Sequence, residues 1–349
     1  MNVTVHQRPG VYSAYDASSV VSGSGAGKQV GLVAVNAKAA ANKVKIVTSY
    51  DGAVNAFGQG TMAELVRLAL KNGAGAVAAV PIAGGEGYAD GFAALEGLED
   101  ITAVICDSTD GDVQKAMKQS VETASANRRE RIAVAAGGAG ETVDQLIARA
   151  KALNHERVVL VAPGGVNQNG EAADGLGVAA AVAGAIAGES DPAVPLGGAV
   201  LTGLYGLSGR YSDGEMDRLI LGGVTPVESL AGTVGVVRGV TTRTTTGEAA
   251  DATWRDLTTI RIVDDVIPTL RRALRTKFQR AKNTAQSRGA IRAQVVLELE
   301  NKKAREIITG YENVTVTADS QDPARCLVDF SFTVAHGLNQ IWLTAHITV

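Results

Sequence analysis

The sequence predicts an α/β domain with a mostly parallel sheet, followed by an α+β domain. Through the middle of the chain, short apolar segments alternate with amphipathic helical segments, a pattern typical of βαβ units with both sheet faces covered. After Pro226 the pattern changes to long amphipathic helices and alternating strands. The last segment, residues 325–349, has the period of two that indicates strands with one buried face.

The composition indicates a globular protein built from closely packed elements. Hydrophobic residues make up 46% of the 349 residues, but aromatic residues only 4%, and 41 residues are glycine. Small side chains allow helices and strands to approach closely. At this length the chain can form two or more domains. The net charge of −3 gives no overall argument for nucleic-acid binding.

The cysteines and the first residues bear on the cellular compartment. Cys106 and Cys326 lie in apolar segments, as expected of reduced, buried thiols rather than of a disulfide framework. The first residues have no signal-peptide pattern, and no apolar run reaches transmembrane length. We therefore expect synthesis in the cytosol and no direct insertion into a membrane.

Three segments are predicted along the chain. Residues 1–28 form an arm, with a short strand that contains Val3, Thr4 and Val5 and a Ser/Gly-rich linker. Residues 29–225 form the α/β domain. Residues 226–349 form the α+β domain, with a C-terminal arm at residues 338–349.

The elements of the α/β domain follow from apolar runs and helical spacing. Strands are predicted at residues 29–37, 43–49, Ala76–Ile82, Ile101–Cys106, 131–136 and 157–162. Helices are predicted from residue 61 to the stop at Asn72-Gly73, and over residues 112–129, 142–153, 172–187 and 214–221.

The α+β domain is predicted to begin with extended segments. Residues 257–263 are predicted to form a strand, and Asp264-Asp265 to cap a helix with Pro268 in its first turn. A second helix around residues 291–299 is predicted to end at Gly310, before a strand at residues 311–317.

Two terminal strands complete the predicted domain. In the first, Val328, Phe330 and Phe332 alternate with polar residues. The second carries Ile341, Leu343, Ala345 and Ile347 at alternate positions. Such a terminal strand pairs either within its own sheet or with the edge of another chain, and the pattern leaves both open.

Charge is unevenly distributed. Residues 86–112 contain acids but no Lys or Arg, whereas residues 271–305 are strongly basic. The acids include Glu96, Glu99 and Asp100, and the cations include Arg271, Arg272, Arg275 and Lys277. This distribution indicates either two solvated helix faces or complementary patches, between copies of the chain or toward another partner.

The glycine clusters were tested as nucleotide sites. Gly27-Lys28 is followed by Gln29, where a P-loop needs Ser or Thr, and Ser22 replaces its first glycine. Gly138-Ala139-Gly140 is followed by Val143, where the dinucleotide fingerprint needs a small residue. A nucleotide- or sugar-phosphate-binding enzyme with its site at residues 137–140 or 164–165 is the alternative interpretation.

Motifs for metal binding or nucleophilic catalysis were not found. The histidines are His6, His155, His336 and His346, and they have no metal-ligand spacing. No nucleophile motif of the Gly-x-Ser-x-Gly type is present. We therefore predict no catalytic residues, no metal and no cofactor.

The ordered motifs resemble the contractile tail sheath proteins of bacteriophages, R-type tailocins and contractile injection systems. The resemblance is carried by residues 8–12 (RPGVY), by the glycine-punctuated residues 232–246, by residues 263–280 with their paired arginines, and by residues 325–349. It covers the N-terminal arm and roughly the last third of the chain, which together imply a sheath-type α+β domain.

The resemblance implies a structural subunit rather than an enzyme. Such subunits form stacked six-fold rings around an inner tube, and their arms, here residues 2–6 and 341–349, add strands to neighbours at residues 325–335. It also implies contacts with tube, baseplate and tail terminator proteins, and no nucleic acid. Contraction by subunit rotation would drive the tube through a target envelope.

The resemblance further implies synthesis in the bacterial cytoplasm and assembly into a phage tail or phage-tail-like particle. A tail terminator or baseplate protein, which caps a sheath without polymerising, is the alternative within this class.

Overall fold

A computed structural model describes residues 28–339 and residue 344 of the chain. The predicted arm strand with Val3, Thr4 and Val5 lies outside the described residues. The second terminal strand, with Ile341, Leu343, Ala345 and Ile347, lies outside them as well.

A nine-stranded mixed sheet forms the larger part of the described chain, in the order β2-β3-β1-β4-β5-β6-β8-β9-β7. Its strands are β1 (Gln29–Val35), β2 (Lys45–Val47), β3 (Ala76–Ile82), β4 (Ile101–Cys106), β5 (Ile132–Ala136), β6 (Val158–Ala162), β7 (Val200–Leu201), β8 (Val224–Leu230) and β9 (Thr233–Val236). The strands from β3 to β8 in this order run parallel, and β2, β9 and β7 pair antiparallel at the two sides.

Helices cover both faces of this sheet, which explains its continuously apolar strands. One face packs against α1 (Tyr50–Phe57), α2 (Thr61–Lys71) and α6 (Leu176–Gly188). The other packs against α3 (Tyr88–Glu96), α4 (Gly111–Ala126), α5 (Val143–Leu153) and α7 (Asp213–Leu221). Every residue of β3, β5 and β6 is buried, as expected of parallel strands between two helical layers.

The helix boundaries have local causes. Thr142 and Ser212 form capping boxes with Gln145 and Glu215 at the starts of α5 and α7. In α6, a β-carbon on Gly184 would lie only 2.3 Å from the backbone oxygen of Ala69, so this position allows α2 and α6 to touch.

The remaining elements form a second core, called here the C-terminal unit. It consists of α8 (Leu257–Phe278), α9 (Ala285–Ala304), β12 (Ile308–Ala318) and β13 (Cys326–Val334). Its buried residues are Ile262, Val266, Leu270, Val295, Leu299, Ile307, Ile308 and Val314. A short hairpin, β10 (Thr245–Thr246) and β11 (Ala249–Ala250), precedes it.

The predicted strands and helices of the α/β region are confirmed in type, and β3 and β4 also in their bounds. The helices α1 and α3 were not predicted. Both are short, and α3 carries Gly91 in its interior, where a β-carbon would lie 2.5 Å from Val33. A glycine retained for close packing weakens the helical pattern in the sequence.

The predicted strand at residues 257–263 is wrong, because these residues begin the continuous helix α8. Leu257 and Ile260 contact the core of the large sheet, whereas Ile262 contacts the C-terminal core. Because the start of this helix is buried on two sides, its apolar residues do not follow the period of 3.6 that marks a helix with one buried face.

Two helix boundaries were also predicted wrongly. Asp264 and Asp265 lie inside α8 rather than at its N-cap, where Asp256 stands, and Pro268 lies in the helix interior. Gly310 does not end a helix but lies within β12. The two carboxylates bind basic side chains of other elements, which accounts for their place in the helix.

The large sheet continues past the predicted division at residue 225, because β8 spans Val224–Leu230 and pairs with β9. The division into three segments stays a prediction. Within the described residues, no helix combines the length and apolarity needed to cross a membrane.

Candidate interaction surface

The hairpin of β12 and β13 is the candidate site, because its strands pair only with each other in the described part of the chain. Each strand therefore has a second backbone edge with no strand beside it there. Val328, Phe330 and Phe332 face the core of the C-terminal unit, and the residues between them are exposed. The predicted alternation of this strand is confirmed.

The core-facing side of the hairpin is only partly covered. No residue of β13 is fully buried, and the Phe330 and Phe332 rings stack 6.2 Å apart at the rim of the core. Two strands alone are marginally stable in water, so α8 and α9 supply the packing that holds them. The hairpin can accept further strands without disturbing that packing.

The edge strand β12 is irregular. Its register with β13 shifts between Ile308 and Gly310 and again between Glu312 and Thr315. Asn313, inside the second shift, has a φ of 55°, in the left-handed region. Such bulges increase twist and interrupt pairing along an edge. The more regular outer edge is therefore that of β13.

The basic residues gather where α8 meets α9. Residues 271–292 contain eight Lys and Arg and no acid. Arg272 and Arg275 are exposed, whereas Lys277 donates to the side chain of Gln294. A groove of about 680 Å³ runs between this turn and the start of β13. Its floor includes Leu274, Phe278, Ile291 and Val328.

Arg271 differs from its neighbours, because its guanidinium donates to Glu130 of the same chain at 2.9 Å. Glu130 directly precedes the buried Arg131, which stands before β5. One of the predicted cations is thus paired within its own chain, with an acid that lies outside the predicted acidic residues 86–112. The intermolecular role of the other basic residues stays a prediction.

The predicted acidic residues lie near the amino-terminal ends of the parallel strands, as Glu130 and Arg131 do. Glu96 ends α3, and Glu99 and Asp100 are exposed in the loop before β4. The Arg131 guanidinium holds this loop by donating to the backbone oxygens of Leu95 at 3.0 Å and Leu98 at 2.6 Å. Burial lowers the pKa of Arg131 to about 10.

Ion pairs connect α8 to the large sheet region and to α9. Arg157, before β6, donates two hydrogen bonds to Asp264 at 2.7 and 2.8 Å. Lys302 of α9 binds Asp265. Burial raises the pKa of Asp264, and the hydrogen bonds from Arg157 oppose that rise. The helix therefore joins the large sheet to the C-terminal unit.

The glycine turns considered as phosphate sites make close contacts with other groups of the chain. The backbone N–H of Gly138 donates to Glu141 at 2.9 Å, and Arg149 binds the same carboxylate. At Gly164, a β-carbon would lie 2.2 Å from the backbone oxygen of Ala173. At Gly138, a carboxylate of the chain itself thus takes the N–H that a bound phosphate would need.

At the switch in strand order, a carboxylate of the chain is held by hydrogen bonds from two neighbouring elements. Chain connections reverse direction between β1 and β4, where open α/β sheets bind their ligands. There Asp107 accepts from the Val35 backbone N–H at 2.9 Å and from the Tyr88 hydroxyl at 2.6 Å. Burial raises the pKa of Tyr88 well above its usual value. Among the described residues, no group of acids, histidines and cysteines is placed to hold a metal.

Comparison with protein families gave two matches. Residues 82–242 match the phage tail sheath protein central domain, and residues 249–348 match the phage tail sheath C-terminal domain. The chain belongs to the phage tail sheath protein family. The predicted resemblance is confirmed, and it extends into the middle of the chain, where sequence motifs gave no indication. The comparison with curated proteins found no match.

Solved structures of contractile systems share this sheath fold. The sheath tail protein from Desulfitobacterium hafniense is 13% identical with a TM-score of 0.70, over 93% of this chain and 100% of that one. The helical sheath of the anti-feeding prophage in its contracted state is 17% identical with a TM-score of 0.73, over 98% and 99%. A chain in the six-fold symmetrised anti-feeding prophage baseplate is 17% identical with a TM-score of 0.72, over 99% and 100%.

Sequence reasoning found both strands of the hairpin but missed their pairing with each other and the charged contacts of the C-terminal unit. Arg131 and Arg157 each directly precede a fully apolar strand, a position that signals a buried or partnered cation. That signal identifies the arginines but not their partners, which come from distant parts of the chain.

Proposed function

We propose that this sheath chain polymerises by exchanging strands with other copies of itself. Residues 2–6 and 341–349 of neighbouring copies add to the hairpin of β12 and β13, and the receiving strands include residues 325–335. The observation that carries the proposal is the hairpin itself, with outer backbone edges that no described strand occupies and a half-covered aromatic face.

Strand addition suits a contact between subunits that must persist while the folded parts of the subunits rotate. Main-chain hydrogen bonds supply the affinity, and alternate apolar side chains such as Ile341, Leu343, Ala345 and Ile347 supply the specificity. Val3, Thr4 and Val5 would act in the same way at the other end. The Ser/Gly-rich composition of residues 18–27 allows the bodies to rotate without breaking the strands.

The polymer consists of six-fold rings stacked around an inner tube, with baseplate and terminator proteins at its ends. Assembly stores energy in an extended state, and repacking of the bodies releases it and drives the tube through a target envelope. Family membership and the fold shared with a contracted sheath and a six-fold baseplate chain support this proposal.

The role is structural rather than enzymatic. Energy stored at assembly would remove the need for a nucleotide, and the carboxylate bonded at the Gly138 turn supports this proposal. Thermal unfolding against a panel of nucleotides and sugar phosphates tests the alternative. A shift specific to one of these ligands would favour the alternative site at residues 137–140 or 164–165.

Electron microscopy of the purified chain tests the polymer directly. We expect tubes or stacked rings from the full chain, and folded, unassembled bodies from a variant that lacks residues 341–349. A variant with the same nine residues in an order without alternation is the matched control, and it should also fail to assemble. Long tubes from either variant would contradict strand exchange.

A protein that caps a sheath is the second candidate, because a six-fold baseplate chain shares the fold. Such a protein would stop at a single ring at every concentration. Tubes that lengthen with protein concentration would exclude it.

A further inference from the structure

The sequence contains two Asn-Gly pairs, Asn72-Gly73 and Asn169-Gly170. In such a pair, the backbone nitrogen of the glycine can attack the side-chain carbonyl carbon of the asparagine, Cγ, and close a succinimide ring. Glycine favours this closure because it has no β-carbon to shield its nitrogen or to restrict the backbone. The structure places the two pairs in different surroundings, so their reactivity should differ.

Asn72, which follows the last residue of α2, is fixed by hydrogen bonds. Its side-chain nitrogen donates to the backbone oxygens of Leu68 at 2.8 Å and Thr202 at 3.0 Å. Its side-chain oxygen accepts from the Thr202 N–H at 2.8 Å. The next residue, Gly73, lies against α6, where a β-carbon would lie 2.9 Å from Gly188 Cα. The Asn72 Cγ therefore reaches the Gly73 nitrogen only after these bonds break.

Asn169 lies at the tip of the loop between β6 and α6, where residues 167–172 are all exposed. In the described part of the chain, its side chain forms no hydrogen bond, and its backbone N–H donates to Asn167 Oδ1 at 2.9 Å. The Gly170 N–H donates to the Asn167 backbone oxygen at 3.0 Å. Such exposed backbone bonds open at little cost in free energy. Around Gly170, no atom lies within 4 Å of the place of a β-carbon, so the nitrogen is accessible.

The neighbouring Asn167 is not expected to react. Its Oδ1 accepts from the N–H groups of Asn169 and Glu171 at 2.9 Å each, and its Nδ2 donates to the Glu171 carboxylate at 2.7 Å. The residue that follows it is Gln168, which has a β-carbon and donates to the Tyr205 hydroxyl at 2.9 Å. These contacts hold the base of the tip and leave the Asn169 side chain in water.

We propose that Asn169 is a site of non-enzymatic deamidation in the folded protein, and that the fold protects Asn72. The bond between the Gly170 nitrogen and the Asn169 Cγ forms, the Cγ–Nδ2 bond breaks, and ammonia leaves with the proton of the Gly170 N–H. Water then opens the succinimide at Cγ to give aspartate, or at the backbone carbonyl carbon to give isoaspartate. Neither route oxidises or reduces the protein, and water is the only co-reactant.

The product changes the charge and the backbone of the tip. A new carboxylate lies near Glu171, and like charges there repel each other. In isoaspartate the main chain also runs through the former side chain, which displaces the hydrogen bonds of the turn. Asn167, Gln168 and Tyr205 line a cleft of about 540 Å³, so the new charge borders this cleft. Because the reaction needs only water, the converted fraction records the age of the protein.

Peptide mass spectrometry of the full chain, incubated at mildly alkaline pH, tests the assignment. Asn169 should convert at least about tenfold faster than Asn72, because three side-chain hydrogen bonds of Asn72 must break first. Conversion should accelerate as pH rises, since the nucleophile is the deprotonated Gly170 nitrogen. Asn169→Gln is the matched variant. It should keep the unfolding midpoint and abolish the mass change of this peptide, because glutamine closes a larger and less favourable ring.

The same measurement in urea separates the effect of the fold from that of the sequence. In the unfolded chain both pairs should convert at similar rates, because each asparagine precedes a glycine. Equal rates in the folded protein would overturn the protection of Asn72. A folded chain that keeps Asn169 intact, or a mass change that persists in Asn169→Gln, would overturn the site. None of these measurements requires tubes, so their outcome is independent of the proposed strand exchange.

Discussion

The large sheet region and the C-terminal unit bury the apolar surface of their strands to different extents. In the sheet region, β3, β5 and β6 are buried along their whole length between two layers of helices. In the C-terminal unit, β13 has no buried residue, although half of its side chains face a core. The first region covers these strands within one chain, whereas the second would gain burial and hydrogen bonds from the strand addition proposed above.

The polar groups of the two regions differ in the same way. In the sheet region, charged groups at the turns have partners in the same chain, as Glu141 has in Arg149 and in Gly138. In the C-terminal unit, residues 271–292 carry eight cations and no acid. Neutralised turns are typical of a rigid body, and an excess of a single charge is typical of either a solvated helix face or the contact surface that the proposal requires.

The largest effect is expected where the two regions join. In Arg157→Met, Asp264 keeps its charge in a site where the two side chains are only 13% and 15% exposed. An unpaired buried charge should lower the free energy of unfolding by about 3 kcal/mol. Chemical denaturation measures the change, and Arg210→Met, at an exposed arginine, is the matched control.

This loss should depend on pH in a defined direction. Burial already raises the pKa of Asp264 in the folded state, and removal of Arg157 raises it further. The folded variant then holds its proton more tightly than the unfolded chain, so stability falls as pH rises through the folded pKa. The deficit should shrink on acidification and in the double variant with Asp264→Asn. A deficit that grows on acidification would contradict this assignment.

A pair of helical glycines contrasts the two regions directly. In Gly184→Ala, the new methyl group would meet the backbone of Ala69, and overpacking should cost about 2 kcal/mol. Gly289→Ala in α9 meets no atom within 4 Å and should stabilise the protein by about 0.5–1 kcal/mol through helix propensity. Unfolding midpoints that shift in the same direction would contradict the contrast.

The regions also differ in how far the sequence predicted them. Buried parallel strands such as β3 and β4 are recognisable because burial on both faces leaves a short apolar run between turns. The prediction of a strand at the start of α8 is wrong for a related reason. Contacts with two cores give this part of the helix an apolar run instead of the helical period. Short-range patterns thus indicate burial more directly than they indicate helix or strand.

The hairpin provides the next prediction. Phe332→Ala should lower monomer stability by only about 1 kcal/mol, below the 3–5 typical of fully buried aromatics, because the ring is only partly buried. Its effect on the critical concentration for assembly should be larger than on unfolding. Ser331→Ala, on the opposite face of β13, is the control and should leave both unchanged. A loss confined to the monomer would place Phe332 in the core alone.

The candidate surface was predictable in part. Period-two alternation identified Val328, Phe330 and Phe332, because a strand's side chains alternate regardless of what covers them. The partners of the charged residues were not predictable, since Arg271 meets Glu130 and Arg157 meets Asp264 across more than a hundred residues of chain. Such pairs follow from the packing of α8, whose start was predicted as a strand.

The smallest effect on stability is expected at the exposed arginines, and it sharpens the contrast between a body and a contact surface. Arg272→Glu and Arg275→Glu should each change the free energy of unfolding by less than about 0.5 kcal/mol, because both side chains lie in water. Arg271→Glu should cost more, since it places a second carboxylate beside Glu130. If the basic surface binds an acidic partner, the two exposed variants should nevertheless impair assembly or contraction, most strongly at low salt, where screening is weakest. Normal particles from both variants would assign these arginines to solvation alone.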